Sequence, residues 1–312
     1  ELAELQQCVQ EDCIPPFRGM PDIHSLLVKS QRKESLDVSD ILLIVQFVEL
    51  IKEAKDWVLI QGINYPKIHA RISDISLSSE LYFTLTSSFD AEGALSRDTY
   101  PALYRMMEQY QKLKQQVQKT LQELLVTHAP MMQENFYTKR NGRYVLPMKA
   151  NYKRTAGIVH GRSQSSETYY VEPIAMVELS NRCMEVETAI EQETRRIVFQ
   201  LSSLIASHVK ELLQAEYSLG ELDAVHAKLQ LGSRWKGVIP KIGEEGIISI
   251  DQLRHPILEI QIENVVPNDI LLSAQHPALV ISGPNAGGKT ISLKAVGLIA
   301  WMARYGIPTN DM

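Results

Sequence analysis

Residues Gly283-Pro284-Asn285-Ala286-Gly287-Gly288-Lys289-Thr290 satisfy the pattern G-x-x-x-x-G-K-[ST] in full. Glycines at these places let backbone N–H groups close on phosphate oxygens at the start of a helix. The Lys289 ammonium adds a point charge for the β- and γ-phosphates, and the Thr290 hydroxyl is placed to ligate Mg²⁺. The chemistry implied is the binding of ATP with Mg²⁺. Such a loop needs a strand before it and a helix after it. Ala278-Leu279-Val280-Ile281 reads as a buried strand, and Ile291 to Tyr305 reads as a helix stopped by Gly306 and Pro308. Hydrolysis further needs an acidic metal-binding strand and a residue that positions water, both usually well downstream. Only 22 residues follow Thr290, so the chain as it stands is expected to bind ATP poorly and to hydrolyse none.

A second chemistry is signalled by charge. Between Asn135 and Ser166 lie Lys139, Arg140, Arg143, Lys149, Lys153, Arg154 and Arg162 with no acidic residue. The whole chain, by contrast, carries 32 Lys plus Arg against 37 Asp plus Glu, a net charge of −5. Phe136, Tyr137, Tyr144 and Tyr152 are interleaved, which permits stacking on bases or the packing of a small sheet. Seven like charges repel one another unless a polyanion neutralises them, so a nucleic-acid or ribonucleoprotein contact is expected over a merely solvated hairpin. Other candidates are bland. The eight histidines show no H-x-x-x-H or H-E-x-x-H spacing, and Cys8, Cys13 and Cys183 form no C-x-x-C pair, so no metal beyond Mg²⁺ is expected. By itself, His255 in Arg254-His255-Pro256 reads as a turn or core histidine, and Val265-Val266-Pro267-Asn268-Asp269 as an edge strand with a turn.

The elements that must position these groups follow from periodicity. A chain of 312 residues with 45% hydrophobic and 22% charged residues is globular and long enough for about two domains. Its longest apolar run, Ile41 to Ile51, is interrupted by Gln46 and Glu49 and falls short of the roughly 20 residues that span a bilayer, so no membrane contact is expected. Three unpaired cysteines suit a reducing, cytoplasmic location. No initiator Met opens the chain and no cap or tail closes it at Asn310-Asp311-Met312, so it is expected to be part of a longer protein. Helical spacing runs from Ser39 to Trp57, with Ser39 or Asp37 as N-cap, and from Thr99 to Thr127 with coiled-coil-like steps. Short β-type runs at Tyr144–Leu146, Ile158–Val159 and Tyr169–Val171 are punctuated by Asn141-Gly142, Gly157 and Gly161. Helical periodicity resumes from Ile174 to Leu213, and a separate helix from Leu222 to Leu231 ends at Gly232 as its C-cap. Trp235 to Ile281 reads as short strands. The expected fold class is α plus α/β, multidomain. Its parts are a helical region over 1–96, long helices over 97–232 with a β insert at 135–172, and the beginning of a P-loop domain over 233–312.

With these residues in order, the chain resembles the MutS family of ABC-class ATPases. The resemblance rests on the loop at 283–290, on Arg254-His255-Pro256, on Val266-Pro267-Asn268-Asp269 and on Ser218-Leu-Gly-Glu-Leu-Asp-Ala-Val225. Tyr137 to Lys149, Gly157-Ile-Val-His160, Tyr170-Val-Glu-Pro173 and Thr290 are similar to the MutS-two branch rather than the mismatch-repair branch. The resemblance implies a core and lever region, a clamp of two long helices with a basic tip, and a homodimer with composite ATP sites. It also implies an adenine side formed by His255, Val265 and Val266, where valines offer little stacking. No separate mismatch-reading domain is expected, and the one Phe-x-Glu tripeptide, Phe47-Val48-Glu49, falls within the helical spacing of Ser39 to Trp57. Two activities of the whole protein are implied: an ATP-driven clamp acting on stalled or collided ribosomes, binding rRNA and splitting subunits; or a DNA-binding ATPase and endonuclease, with a C-terminal Smr-type domain, acting on branched or mismatched DNA and suppressing recombination. A coiled-coil ATPase of the SMC type is disfavoured, because there the nucleotide loop precedes one very long coiled coil.

Overall fold

The computed structural model describes the chain except residues 18, 153–156, 165–166, 244–245, 285–286 and 310–312. The helices α1 (Leu2–Gln10), α2 (His24–Gln31), α3 (Val38–Gln61), α4 (Pro66–Ser73) and α5 (Ser79–Ser87) come first, followed by the long α6 (Pro101–Thr127). Strands β1 (Thr138–Arg140), β2 (Arg143–Lys149), β3 (Gly157–Arg162) and β4 (Thr168–Pro173) precede α7 (Ile174–Ser207) and α8 (Val209–Ser233). The remainder is β5 (Ile248–Leu253), α9 (Pro256–Gln261), β6 (Asn268–Leu272) and α10 (Lys289–Arg304). The chain divides into two compact units, one of residues 1–31, 43–82 and 207–312 and one of residues 32–42 and 83–206.

In the first unit α1, α2 and α4 pack on α8, whose buried stripe is Val209, Leu212, Ala215, Leu219 and Leu222. A smaller core joins the antiparallel β5–β6 pair to α10 through Ile250, Leu253, Ile270, Ala295 and Ile299. In the second unit the four strands form one antiparallel sheet in the order β1-β2-β4-β3. Leu146, Met148 and Val171 from this sheet pack with Val117, Leu121 and Leu124 of α6 and Met176 of α7. The β1–β2 turn is Asn141-Gly142 with φ of 50° and 78°, the left-handed pair that a two-residue hairpin requires.

Several expected elements are present as read. The α3 helix is capped by Asp37, whose Oδ1 accepts from the Asp40 amide at 2.7 Å, and α6 begins with Pro101 in its first turn. Others differ. The rod expected from Ile174 to Leu213 ends at Ser207, and the helix expected at 222–231 is the latter part of α8, which already begins at Val209. The buried positions continue across this break without a change of step, since Leu201, Ile205, Val209 and Leu212 are spaced by four, four and three, and no Gly or Pro marks His208. Gly232 is not a C-cap: it lies inside α8, where an added Cβ would stand 2.5 Å from Pro308. Its absence of a side chain serves close packing rather than a left-handed turn. Within 235–281 the segment 256–261 is helical, started by Pro256 at its first position, instead of a strand.

The buried strand expected at 278–281 does not form. These residues are irregular, and Leu279, Val280 and Ile281 are 48%, 88% and 39% exposed. A strand is made by its neighbours' hydrogen bonds, and among the described residues none pairs with this run.

Candidate nucleotide loop and basic sheet

The loop at 283–290 leads directly into α10, so Lys289 and Thr290 occupy the first helical turn. Gly288 precedes them with φ 81° and ψ 2°, a left-handed conformation that favours glycine although a side chain there would meet no neighbour. The Gly287 amide donates to the Pro284 carbonyl at 3.0 Å and closes the turn. Lys289 Nζ donates to the same carbonyl at 3.0 Å and also to the Gly283 carbonyl, so the ammonium folds back over the loop. The Ser292 amide reaches Gly288 O at 3.0 Å, which starts the helical ladder. Thr290 is exposed. Backbone amides at a helix start, one ammonium and one exposed hydroxyl are the groups that a Mg²⁺-bound polyphosphate takes. Asn285 and Ala286 lie outside the described residues. Buried Ala295 and Ile299 anchor α10 on β5 and β6 and hold the loop at one end of this small core.

The residues expected on the adenine side are not joined to this loop by any hydrogen bond among the described residues. His255 caps α9, and its Nδ1 is buried without a hydrogen-bond partner. Val265 is half-buried and Val266 is 78% exposed. Val265 helps to line a cleft of about 350 Å³ with Trp235, Lys236, Asp251, Arg254 and Glu259, to which no loop residue contributes.

On the four-stranded sheet the basic residues are individually placed. Lys139 Nζ lies 4.7 Å above the Tyr144 ring, and the Arg140 guanidinium lies 3.6 Å above the Tyr170 ring. Arg143 donates to Glu172 Oε1 at 3.4 Å, and Lys149 donates to the Pro130 carbonyl at 3.0 Å. Arg162 is exposed, while Lys153 and Arg154 lie outside the described residues. Tyr137 meets Tyr144 edge to face at 6.0 Å. Two residues absent from the sequence-based site complete the cluster: Glu172, with 1% side-chain exposure, and His160, 2.8 Å from its Oε2. A carboxylate accepts only, so the His160 Nε2–H is the donor. They are 12 residues apart in sequence and meet through the β3–β4 register, where Gly157 has φ 148° and an added Cβ would lie 1.9 Å from the Glu172 carbonyl oxygen. The one local signal for them is that His160 and Glu172 both fall within the short motifs that carry the resemblance.

Among the described residues no group of three or more His, Cys, Asp or Glu could hold a metal ion, and no helix is long and apolar enough to cross a membrane.

The glycine-rich loop that heads α10 and the motifs on the basic sheet are among the residues that carry the MutS-type resemblance. No family model matches the chain. Curated relatives narrow the class. The chain is 30% identical over 318 residues to Endonuclease MutS2 of Halothermothrix orenii, covering 98% of this chain and 40% of that protein. It is 30% identical over 311 residues to Endonuclease MutS2 of a Geobacillus species, covering 95% and 38%, and 30% identical over 310 residues to that of Streptococcus sanguinis, covering 99% and 39%. The chain belongs to the MutS2 family. It spans between 31% and 40% of the length of these and similar relatives.

Proposed function

We propose that this chain is the clamp and nucleotide-loop part of a homodimeric ATPase that grips structured nucleic acid, acting on stalled or collided ribosomes through rRNA and contributing to subunit splitting. In this reading residues 1–96 form a core and lever, 97–232 the core and clamp helices with the contact tip at 135–172, and 233–312 the start of the ATPase domain. Bound ATP with Mg²⁺ supplies the free energy of its phosphoanhydride bond. The chain's own share is to hold the polyphosphate with backbone amides of the glycine loop at the start of α10, with Lys289, and with the Thr290 hydroxyl on the metal. The observation that carries the reading is the pairing, in one chain, of a helix-heading glycine loop with a sheet bearing exposed Lys139, Arg140, Lys149 and Arg162. A second reading, action on branched DNA, is favoured by the name endonuclease that the MutS2 relatives bear.

The test uses the full-length protein with collided ribosomes, ATP or a non-hydrolysable analogue, and excess branched DNA as competitor. Co-sedimentation that survives the DNA, with subunits released only under hydrolysable ATP and not by Lys289→Ala, is the expected result. If DNA strips the protein from ribosomes and no subunits appear, the DNA reading replaces it. Reversing Lys149, Lys153 and Arg154 to Glu should weaken polyanion binding and flatten its salt dependence; unchanged binding would remove the tip from the reading.

A further inference from the structure

Strand register separates the tip cations by face. Tyr144, Leu146, Met148, Tyr169 and Val171 share the face that enters the core, and Lys139 lies opposite Tyr144 on that side. Arg140, Arg143, Tyr170 and Glu172 share the second face. His160 joins them, because the irregularity between Val159 and Gly161 brings it to Glu172. Both oxygens of the buried Glu172 carboxylate are thereby occupied, one by Arg143 and one by His160. Arg143 retains 24% side-chain exposure, and among the described residues one of its five N–H donors is committed, to the carboxylate. The Arg140 guanidinium carbon lies 3.6 Å above the centre of the Tyr170 ring, a contact that holds the cation over the ring. A ring face covered by a protein cation is closed to a nucleobase, and this holds for Tyr170 and, on the first face, for Tyr144.

Resting on the reading of the tip as a polyanion contact, we propose that the second face binds the sugar-phosphate backbone of a nucleic acid through Arg140 and Arg143 without stacking on its bases. Tyr170 and Glu172 are the positioning residues that aim these two guanidiniums, and His160 occupies the carboxylate oxygen that Arg143 leaves. Fork-shaped guanidiniums held by a ring and a carboxylate match phosphate oxygens irrespective of base identity. Among the described residues Phe136, Tyr137 and Tyr152, 42%, 42% and 40% exposed, are tip rings still open to a base, so base dependence is a measurable alternative.

The experiment measures anisotropy of labelled 30-nucleotide strands with the full-length protein over a salt series. The probes are oligo-dT, oligo-rU and a DNA strand whose internal nucleotides are abasic. Expected is near-equal affinity for the three, since one lost base–ring stack would cost about five-fold or more. Glu172→Gln should weaken binding even though it removes a negative charge from a basic face; bare electrostatics requires the opposite sign. Tyr170→Phe, which keeps the ring, should bind as the parent does, while Tyr170→Leu should bind more weakly with a salt slope shallower by about 0.7. The tyrosine pair carries the test if Glu172→Gln lowers the thermal midpoint of the tip. A five-fold loss on the abasic strand, tighter binding by folded Glu172→Gln, or identical behaviour of the Phe and Leu variants overturns the proposal. Failure of every strand to bind overturns the polyanion reading itself, and this inference with it.

Discussion

Gly220 and Gly232 both lie in α8, and the same substitution to alanine is expected to act with opposite sign at the two positions. At Gly220 an added Cβ finds Met20 Cε at 3.9 Å, an ordinary contact, so the helix gains up to about 1 kcal/mol of propensity. At Gly232 the added Cβ would stand 2.5, 2.7 and 2.8 Å from Cβ, Cγ and Cδ of Pro308. Carbon atoms settle at about 3.5–4.0 Å, so the Pro308 ring must retreat by roughly 1 Å. It is not free to do so. Trp235 Nε1 donates to the Pro308 carbonyl at 2.9 Å, and Val238 and Thr309 exchange backbone bonds of 2.6 and 2.8 Å. Overpacking of this kind costs about 1–3 kcal/mol, which exceeds the propensity gain. Set against a propensity gain of at most about 1 kcal/mol, the net loss is up to about 2 kcal/mol, so Gly232→Ala should lower Tm by up to roughly 8 °C. It should also speed hydrogen exchange at the Val238 and Thr309 amides, whereas Gly220→Ala raises Tm and leaves those amides protected. Differential scanning fluorimetry and exchange mass spectrometry read both quantities. A Gly232→Ala protein as stable as the Gly220→Ala protein, with unchanged protection at 238 and 309, would refute the close-packing account.

Further outcomes follow from other sites. Gly157→Ala places a Cβ against the Glu172 carbonyl at a φ of 148°, so β3 should detach from β4 and the tip become protease-sensitive; Gly161→Ala, whose Cβ would meet only the end of Arg140 at 3.6 Å, should not. The Cys8 thiol is fully buried and pushed up to about 12, by burial first and then by Cys13, so iodoacetamide at pH 8 should spare Cys8 in the folded protein; its labelling at the rate of half-buried Cys13 would contradict the packing of α1. His24 Nδ1 stands 3.0 Å from Glu216, which raises its pKa above 6.5 by hydrogen bonding and then by charge. Whatever stability this exposed pair contributes is full below 6.5 and lost as pH rises through the raised value, and an NMR titration of His24 that follows an unshifted curve would remove the pair.

What was legible in the sequence is what one short stretch of chain decides alone. The Leu113, Val117, Leu121 and Leu124 stripe specifies α6, Asp37 caps α3, Asn141-Gly142 turns the first hairpin, and the glycines before Lys289 fit the bend that α10 requires. Each rests on a local period, a cap or a φ sign. Tertiary structure decided what depends on residues far apart. Leu201, Ile205, Val209 and Leu212 keep a helical step through His208, so hydrophobic spacing carried no trace of the break there. Gly232 looks like a helix stop until Pro308, far along the chain, is brought against it. Apolar Leu279-Val280-Ile281 has strand composition, yet a strand exists only where another offers its hydrogen bonds. Glu172 and His160 meet only because β3 and β4 pair in one register, and their pairing turns a count of basic residues into a surface with a defined face.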